Sequence, residues 1–306
     1  MLVRTLVDPD RRASGSGALS IALASVLWGT TGTAASLLPA DVSPLFVGAA
    51  TMGIGGMLLL VASPRGAMAL LRDRTAHGWL GVGAVSVFVY PLAFYSGMDL
   101  AGVAIGTVVA LGSAPIFAAA LEVVLERRAP GWPWLIGTGV ALLGMILLIG
   151  GEGVIGQNPA ARNTGIILGL LAGVSYAVYT YGSVRLIAHG HAARSVMGAV
   201  FGLGAVLLMP IVLVLGSPHW SDSATMPIVA YLALGPMFLA YLLFGQGLRT
   251  VGSSSATAIT LIEPVVATLL AVTVVGEQLS AGAWLGLALI MAGVAPVMTA
   301  RRPRFR

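Results

Sequence analysis

Glu263 is an acid near the middle of a long apolar run, residues 252–275, about twelve residues from either end. An ionised carboxylate facing lipid at that depth would cost several kcal/mol, so its side chain must face protein or water. Two chemistries suit it. It can bind a proton or a substrate amine, or it can serve as a hydrogen-bonded structural carboxyl beside Pro264, which removes a backbone donor next to it. The matching position in the first half of the chain is Ala114, so any ion role would be one-sided. Trp28, Tyr90, Tyr95, Tyr176, Tyr179 and Tyr241, with the amide of Gln246, lie inside other apolar runs. Their rings can hold an apolar body while hydroxyl or indole groups orient polar ends, or they can simply fill a core. Trp79, Trp132, Trp134, Trp220 and Trp284 lie near run ends, the usual place for an interfacial belt. Pro115 and Pro264 each interrupt a run and are read either as hinges or as packing features.

Other chemistries are excluded. The chain has no cysteine, which rules out disulfides, iron–sulfur clusters and thiol nucleophiles. Its four histidines (His77, His189, His191 and His219) are scattered in loops or at run ends, so no metal or catalytic cluster is expected and no cofactor is implied. No phosphate-binding glycine loop is present to power a primary pump. Intramembrane catalysis would need a nucleophile or metal set inside the runs, and none is there.

The elements that must position these residues follow from composition. The chain has 306 residues, 58% hydrophobic and 9% charged, whereas a soluble domain is about a quarter charged. A bilayer is the solvent that fits. Apolar runs occur at 18–38, 44–62, 78–98, 102–122, 133–150, 165–186, 195–216, 227–248, 252–275 and 281–299, each close to the roughly 20 residues that cross a bilayer as a helix. The stretch 78–122 is too long for one crossing and must contain a turn. With the N-terminus in the cytoplasm, every arginine except Arg162 falls on the cytoplasmic side, the asymmetry that sets orientation. Both termini are therefore expected inside. The net charge of +5 sits in these short loops and tails, not in a stripe suited to nucleic acid.

The halves repeat. SAPIFAAALEVVLERRAPGWPWLIG (113–137) parallels IEPVVATLLAVTVVGEQLSAGAWLG (262–286), with Pro115 opposite Pro264 and a period of about 149 residues. Glu126 and Glu277 follow as loop acids that cap or pair locally. ALASVLWGTTG (22–32) parallels GLLAGVSYAVY (169–179). Five spans per repeat is odd, so the second copy must be inverted relative to the first. The expected fold is an all-α integral membrane protein of ten transmembrane helices in two inverted five-helix repeats. The divisions are a cytoplasmic tail (1–17), first repeat (18–150), external linker (151–164), second repeat (165–299) and basic cytoplasmic tail (300–306).

SVLWGTTG (25–32), SAPIFAAAL (113–121) and, above all, IEPVVATLLAVTVVGEQLSAGAWLGLALIMAGV (262–294) resemble the drug/metabolite transporter superfamily in its ten-helix EamA branch, most nearly the YddG-type amino-acid and metabolite exporters. In the first repeat, GluArgArg at 126–128 replaces the usual glycine–acid turn. The resemblance implies a central cavity lined by the first, third, fourth, sixth, eighth and ninth helices, with the fifth and tenth peripheral. It also implies a bacterial inner-membrane location and a small-molecule substrate such as an amino acid, while the Gly282/Gly286 spacing on the last helix suits helix packing and leaves a monomer or weak dimer open. The implied function is secondary export by alternating access, with a multidrug exporter of lipophilic cations as the alternative and a passive pore disfavoured by the inverted repeats.

Overall fold

The computed structural model describes residues 9–39, 41–149, 159–216, 222–275 and 280–299. Among these, nine helices are long and apolar enough to cross a membrane, and a tenth apolar helix, Trp132–Leu148, is slightly shorter. This is a multi-pass, all-α membrane protein. In chain order the helices are α1 (Pro9–Gly29), α2 (Thr31–Ala35), α3 (Pro44–Ala62), α4 (Pro64–Arg72), α5 (His77–Ala101), α6 (Val103–Glu126) and α7 (Trp132–Ile149). The second half contains α8 (Pro159–Ala188), α9 (Ala193–Gly216), α10 (Thr225–Leu232), α11 (Ala240–Gly247), α12 (Ser253–Ile259), α13 (Ile262–Leu270) and α14 (Ala281–Thr299). A π-helical stretch, Ala233–Leu239, joins α10 to α11, and another, Ala271–Val275, extends α13. Lipid-facing positions carry exposed Leu19, Val85, Ile146, Ile167 and Val214.

Several boundaries differ from the expected runs. Helix α1 starts at Pro9, inside the stretch assigned to a tail, and α8 starts at Pro159, inside the stretch assigned to a linker. The first span also breaks at Thr30, whose hydroxyl donates to the Leu27 carbonyl at 2.7 Å. That side chain competes with the helical ladder, and α2 restarts from Thr31. Helix α4 was not expected as an element. Proline at its first position favours a helix start, and its nine residues bury Ala67 and Leu70. Among the expected belt tryptophans, Trp132 and Trp284 are exposed, whereas Trp134 is buried. Trp220, His219 and Glu277 lie outside the described residues.

The two halves pack as inverted copies. Helix α5 lies along α8 as α1 lies along α11, and α6 meets α8 as α1 meets α13. The pairs α3–α9, α7–α14 and α6–α12 each join equivalent elements of the two repeats. In the α7–α14 pair, Gly137 opposes Gly293 and Gly144 opposes Gly286, so the helices run antiparallel. An antiparallel pairing of equivalent helices is what a two-fold axis in the membrane plane requires.

The α7–α14 contact depends on missing side chains. A Cβ on Gly137 would stand 2.5 Å from the Gly293 carbonyl oxygen, and one on Gly286 would stand 2.6 Å from that of Gly144. Such small-residue contacts let transmembrane backbones touch. Gly286 is thus used within the chain, while Gly282 meets little beyond Ser280. Gly144→Val is expected to destabilise the bundle by about 1–3 kcal/mol, the usual cost of overpacking. Gly139→Ala, which has open space around its Cβ, should be neutral. Thermal unfolding of the two variants in detergent is the check, and equal midpoints would refute the packing role.

Candidate functional site

One cavity gathers most of the residues singled out from the sequence. Trp28 and Thr31 reach it from the first span, Gly48, Thr51 and Met52 from α3, and Tyr90, Pro91, Phe94 and Tyr95 from α5. Tyr176 comes from α8, Pro236, Met237 and Tyr241 from the eighth span, and Glu263 from the start of α13. The space it leaves for the centres of water-sized molecules is ≈ 60 Å³, room for a few waters at roughly 10–15 Å³ each. All the empty space around these residues, open solvent included, is ≈ 530 Å³.

Three of the spans that reach the cavity are irregular at its level, and a fourth, α5, carries a proline there within an unbroken helix. The first breaks at Thr30, α5 carries Pro91, the eighth becomes π-helical around Pro236, and the ninth breaks between α12 and α13. Proline removes an intrahelical donor and crowds the carbonyl one turn earlier, which explains the looser winding near Pro236. Irregular backbone is tolerated at membrane depth only where it is buried in protein or lines a cavity. In the ninth span Thr260 turns away from the helix, and the Glu263 amide donates back to the Thr260 carbonyl at 2.9 Å. Glu263 therefore sits in the first turn of α13, where the helix dipole favours an anion. No described residue donates a hydrogen bond to its carboxyl group.

The aromatic wall is a connected set. Trp28 packs on Tyr241 with centroids 4.9 Å apart, Tyr90 on Tyr176 at 5.7 Å and Phe94 on Tyr95 at 5.6 Å. The Tyr176 hydroxyl donates to the Thr260 hydroxyl at 3.1 Å, and Thr260 in turn donates to the Thr257 carbonyl. Tyr176 thus ties α8 to the break in the ninth span. Gly48 makes room for Tyr95, since a Cβ there would lie 2.8 Å from its ring.

Two expected site residues lie elsewhere. Tyr179 sits one layer behind the wall, 1% exposed, with its hydroxyl 2.7 Å from that of Tyr241. Gln246 is exposed at the end of the eighth span, where its side-chain oxygen faces Arg249 at 3.5 Å. The expected lining by the fourth helix also changes. No described side chain of α6 lines the cavity, and this helix packs on α8 and α12, while α3, the second span, supplies three lining residues. Pro115 is buried within an uninterrupted α6, whereas Pro264 lies just after a real break. The wall prolines Pro91 and Pro236, at related places in the third and eighth spans, were missed. Their recurrence is the sequence signal that could have found them.

The lining residues lie from the middle of the bundle toward the end bearing Thr31 and Pro44. The other end is closed by polar contacts between the repeats. Glu122 on α6 accepts from the Ser253 hydroxyl at 2.6 Å, the Ser254 amide at 3.0 Å and the Ser254 hydroxyl at 2.7 Å. This carboxylate caps α12 from the opposite repeat. Glu126 pairs with Arg185 at 3.4 Å, Ser63 with Ser195 at 3.1 Å, and Asp73 with His191 at 3.3 Å. Hydrogen bonds from the Thr75 hydroxyl and amide hold the Asp73 carboxyl below its ordinary pKa.

Comparison with known proteins fits this architecture. Residues 15–150 and 163–299 each match the EamA-like transporter family. The chain is 34% identical over 288 residues to the uncharacterized transporter YwfM of Bacillus subtilis, covering 93% of this chain and 94% of that one. It is 29% identical over 193 residues to the uncharacterized inner membrane transporter YedA of Escherichia coli K12, covering 61% of this chain and 59% of that one. A solved crystal structure at 24% identity superposes with a TM-score of 0.75, covering 92% of this chain and 96% of its own, and so shares the fold. With both repeats matched and a near full-length relative, the chain belongs to the EamA-like transporter family and is a membrane transporter rather than an enzyme.

Proposed function

We propose that the protein is a secondary transporter that exports small amine-bearing solutes across the cytoplasmic membrane by alternating access, with the central cavity as its binding site. The observation that carries this reading is a cavity walled by aromatic rings and holding one carboxylate, Glu263, among the inner spans of two inverted repeats. Sites of this kind in transporters lie near the bilayer midplane at broken helices. Amino acids and related metabolites, the solutes of the YddG-type exporters that the sequence resembles, carry an amine. So do the lipophilic cations of the alternative reading. Export is the direction of the exporters resembled, and the inner membrane of a bacterium is the location supported by the likeness to YedA.

Alternating access assigns roles to the two ends. The arginine-rich end, cytoplasmic in our reading, is the one held shut by Glu122, Glu126 and Arg185, so the state described opens its cavity to the outside. Rocking of the repeats must release the Glu122 cap before the site can load from the cytoplasm. Pro264, beside the break at Thr260, is the proposed flexing point in the ninth span, with Pro115 as its counterpart in α6.

The central test is uptake by proteoliposomes offered radiolabelled amines and amino acids, with and without a pH gradient. Saturable transport is expected, and Trp28→Ala or Tyr241→Ala should weaken apparent affinity several-fold, since each buried ring contributes on the order of 1 kcal/mol. Glu263→Gln keeps shape but cannot ionise. A proton-coupled carrier should then lose gradient-driven transport and keep exchange, while an unchanged gradient response, rate and substrate preference would make Glu263 structural.

Glu122→Ala should destabilise the closed end by about 1–3 kcal/mol because it strands two hydroxyls and an amide. Glu126→Ala should cost no more than about 1 kcal/mol, because its partner is partly exposed. In a chain without cysteine, Asp41→Cys should label from outside intact cells and His189→Cys only after lysis. The reverse pattern would invert the orientation. Of the 151–163 segment expected outside, residues 151–158, including Asn158, lie outside the described residues, and the remainder opens α8.

A further inference from the structure

We infer that the cavity selects organic cations that lack a carboxylate, so that the transported solute is an amine or quaternary ammonium compound with an apolar body rather than a zwitterionic amino acid. This inference rests on the reading of the cavity as the transport site and narrows the solute it takes.

The argument begins with charge. Among the cavity's lining residues Glu263 is an acid, and none is arginine, lysine or histidine. The described arginines lie in the loops and at helix ends, with Arg185 already paired to Glu126. A zwitterion could place its ammonium group on Glu263, but its carboxylate would then share the same small space with a second carboxylate. Like charges a few ångströms apart repel strongly away from bulk water.

Backbone could replace the missing cation, because broken transmembrane helices often point free amides at a substrate carboxylate. Here the donors at the break are largely used or absent. The Leu261 amide donates to the Ala258 carbonyl at 3.2 Å, that of Glu263 donates to Thr260 at 2.9 Å, and Pro264 has no amide hydrogen. The partial positive charge at the start of α13 already faces Glu263 itself. The hydroxyl nearest the break on the wall, that of Tyr176, is committed to Thr260.

The rings complete the match. Trp28, Tyr90, Tyr95, Tyr176 and Tyr241 all border the cavity that holds Glu263. Aromatic faces attract cations, and desolvated cages of such rings recognise ammonium groups. The pseudo-symmetric partner of Glu263 is Ala114, fully buried, so one carboxylate faces one cationic group. A singly charged cation satisfies this site, while a dication would leave one charge unpaired in the membrane.

Phenethylamine and phenylalanine differ only by the carboxylate, which makes them the deciding pair. Full-length protein in proteoliposomes should accumulate radiolabelled phenethylamine saturably, with benzyltrimethylammonium as a competitor. Phenylalanine should compete at least about a hundredfold more weakly. Glu263→Gln should lower amine affinity at least tenfold, so that the exchange it keeps needs correspondingly more solute, and because the comparison of the two solutes needs no variant, a misfolded Glu263→Gln protein leaves the test intact. Phenylalanine transported as well as phenethylamine, with both lost in Trp28→Ala, would overturn the cation selectivity while leaving the transport site in place. Failure of either solute to bind or move, together with failure of every other amine or amino acid tried, would overturn the site reading as well.

Discussion

The hydrocarbon interior offers no hydrogen bonds, so every backbone amide and carbonyl that crosses it must be satisfied within the protein. The rest of this structure follows from that constraint. Helices are the answer over most of the chain, and glycine contacts such as Gly144 with Gly286 let their backbones meet where lipid offers no hydrophobic drive to associate. The exceptions concentrate at one level. The spans of Thr30, Pro236 and Thr260 all depart from the regular helix beside the same cavity, which Pro91 also lines. Where the ladder fails, local substitutes appear, as in the Thr30 hydroxyl bonding to Leu27 and the Glu263 amide bonding back to Thr260.

The same economy governs the polar contacts between repeats. At the closed end Glu122 satisfies an amide and two hydroxyls at the start of α12, groups that would otherwise be partly buried without partners. A carboxylate with three donors is well placed there and poorly placed anywhere its donors must separate. At the opposite end, the Thr30 and Tyr231 hydroxyls meet at 2.7 Å in an exposed setting, where water can replace either one at little cost. The end where Glu122 sits thus carries the stronger hydrogen bonding between the repeats, and the cavity's lining residues lie away from it.

Much of this is legible in the sequence, and the limits of that reading are physical. The spans are visible because a bilayer demands long apolar runs, and the inversion is visible because five is odd. Glu263, Trp28 and four tyrosines could be picked out because polar or amphipathic groups deep in apolar runs need a reason. Gln246 could not be separated from them by type alone. Five residues at 100° each turn it roughly 140° from Tyr241 and carry it toward the helix end, where it is exposed. The replacement of α6 by α3 in the lining was hidden for a similar reason. Gly48 contributes space for Tyr95 rather than chemistry, and only packing reveals which glycine faces which ring. Glu122 escaped notice because an acid one turn from a helix end reads as an interfacial residue until its three donors, drawn from the other repeat, are seen.

The two-fold architecture and the single carboxylate answer different needs. Inverted repeats give two related arrangements, one open to each side, because equivalent helices can exchange environments across the axis. A site with the same symmetry would present two carboxylates, and the second would have to be neutralised or paired inside the membrane. Here the first repeat supplies Ala114 where the second supplies Glu263, and Ala114 is fully buried. The scaffold can therefore keep its symmetry for movement while the site gives it up for charge. In the proposed site that division puts the one carboxylate on the ninth span beside its break, where a shift of α13 relative to α12 would move it directly.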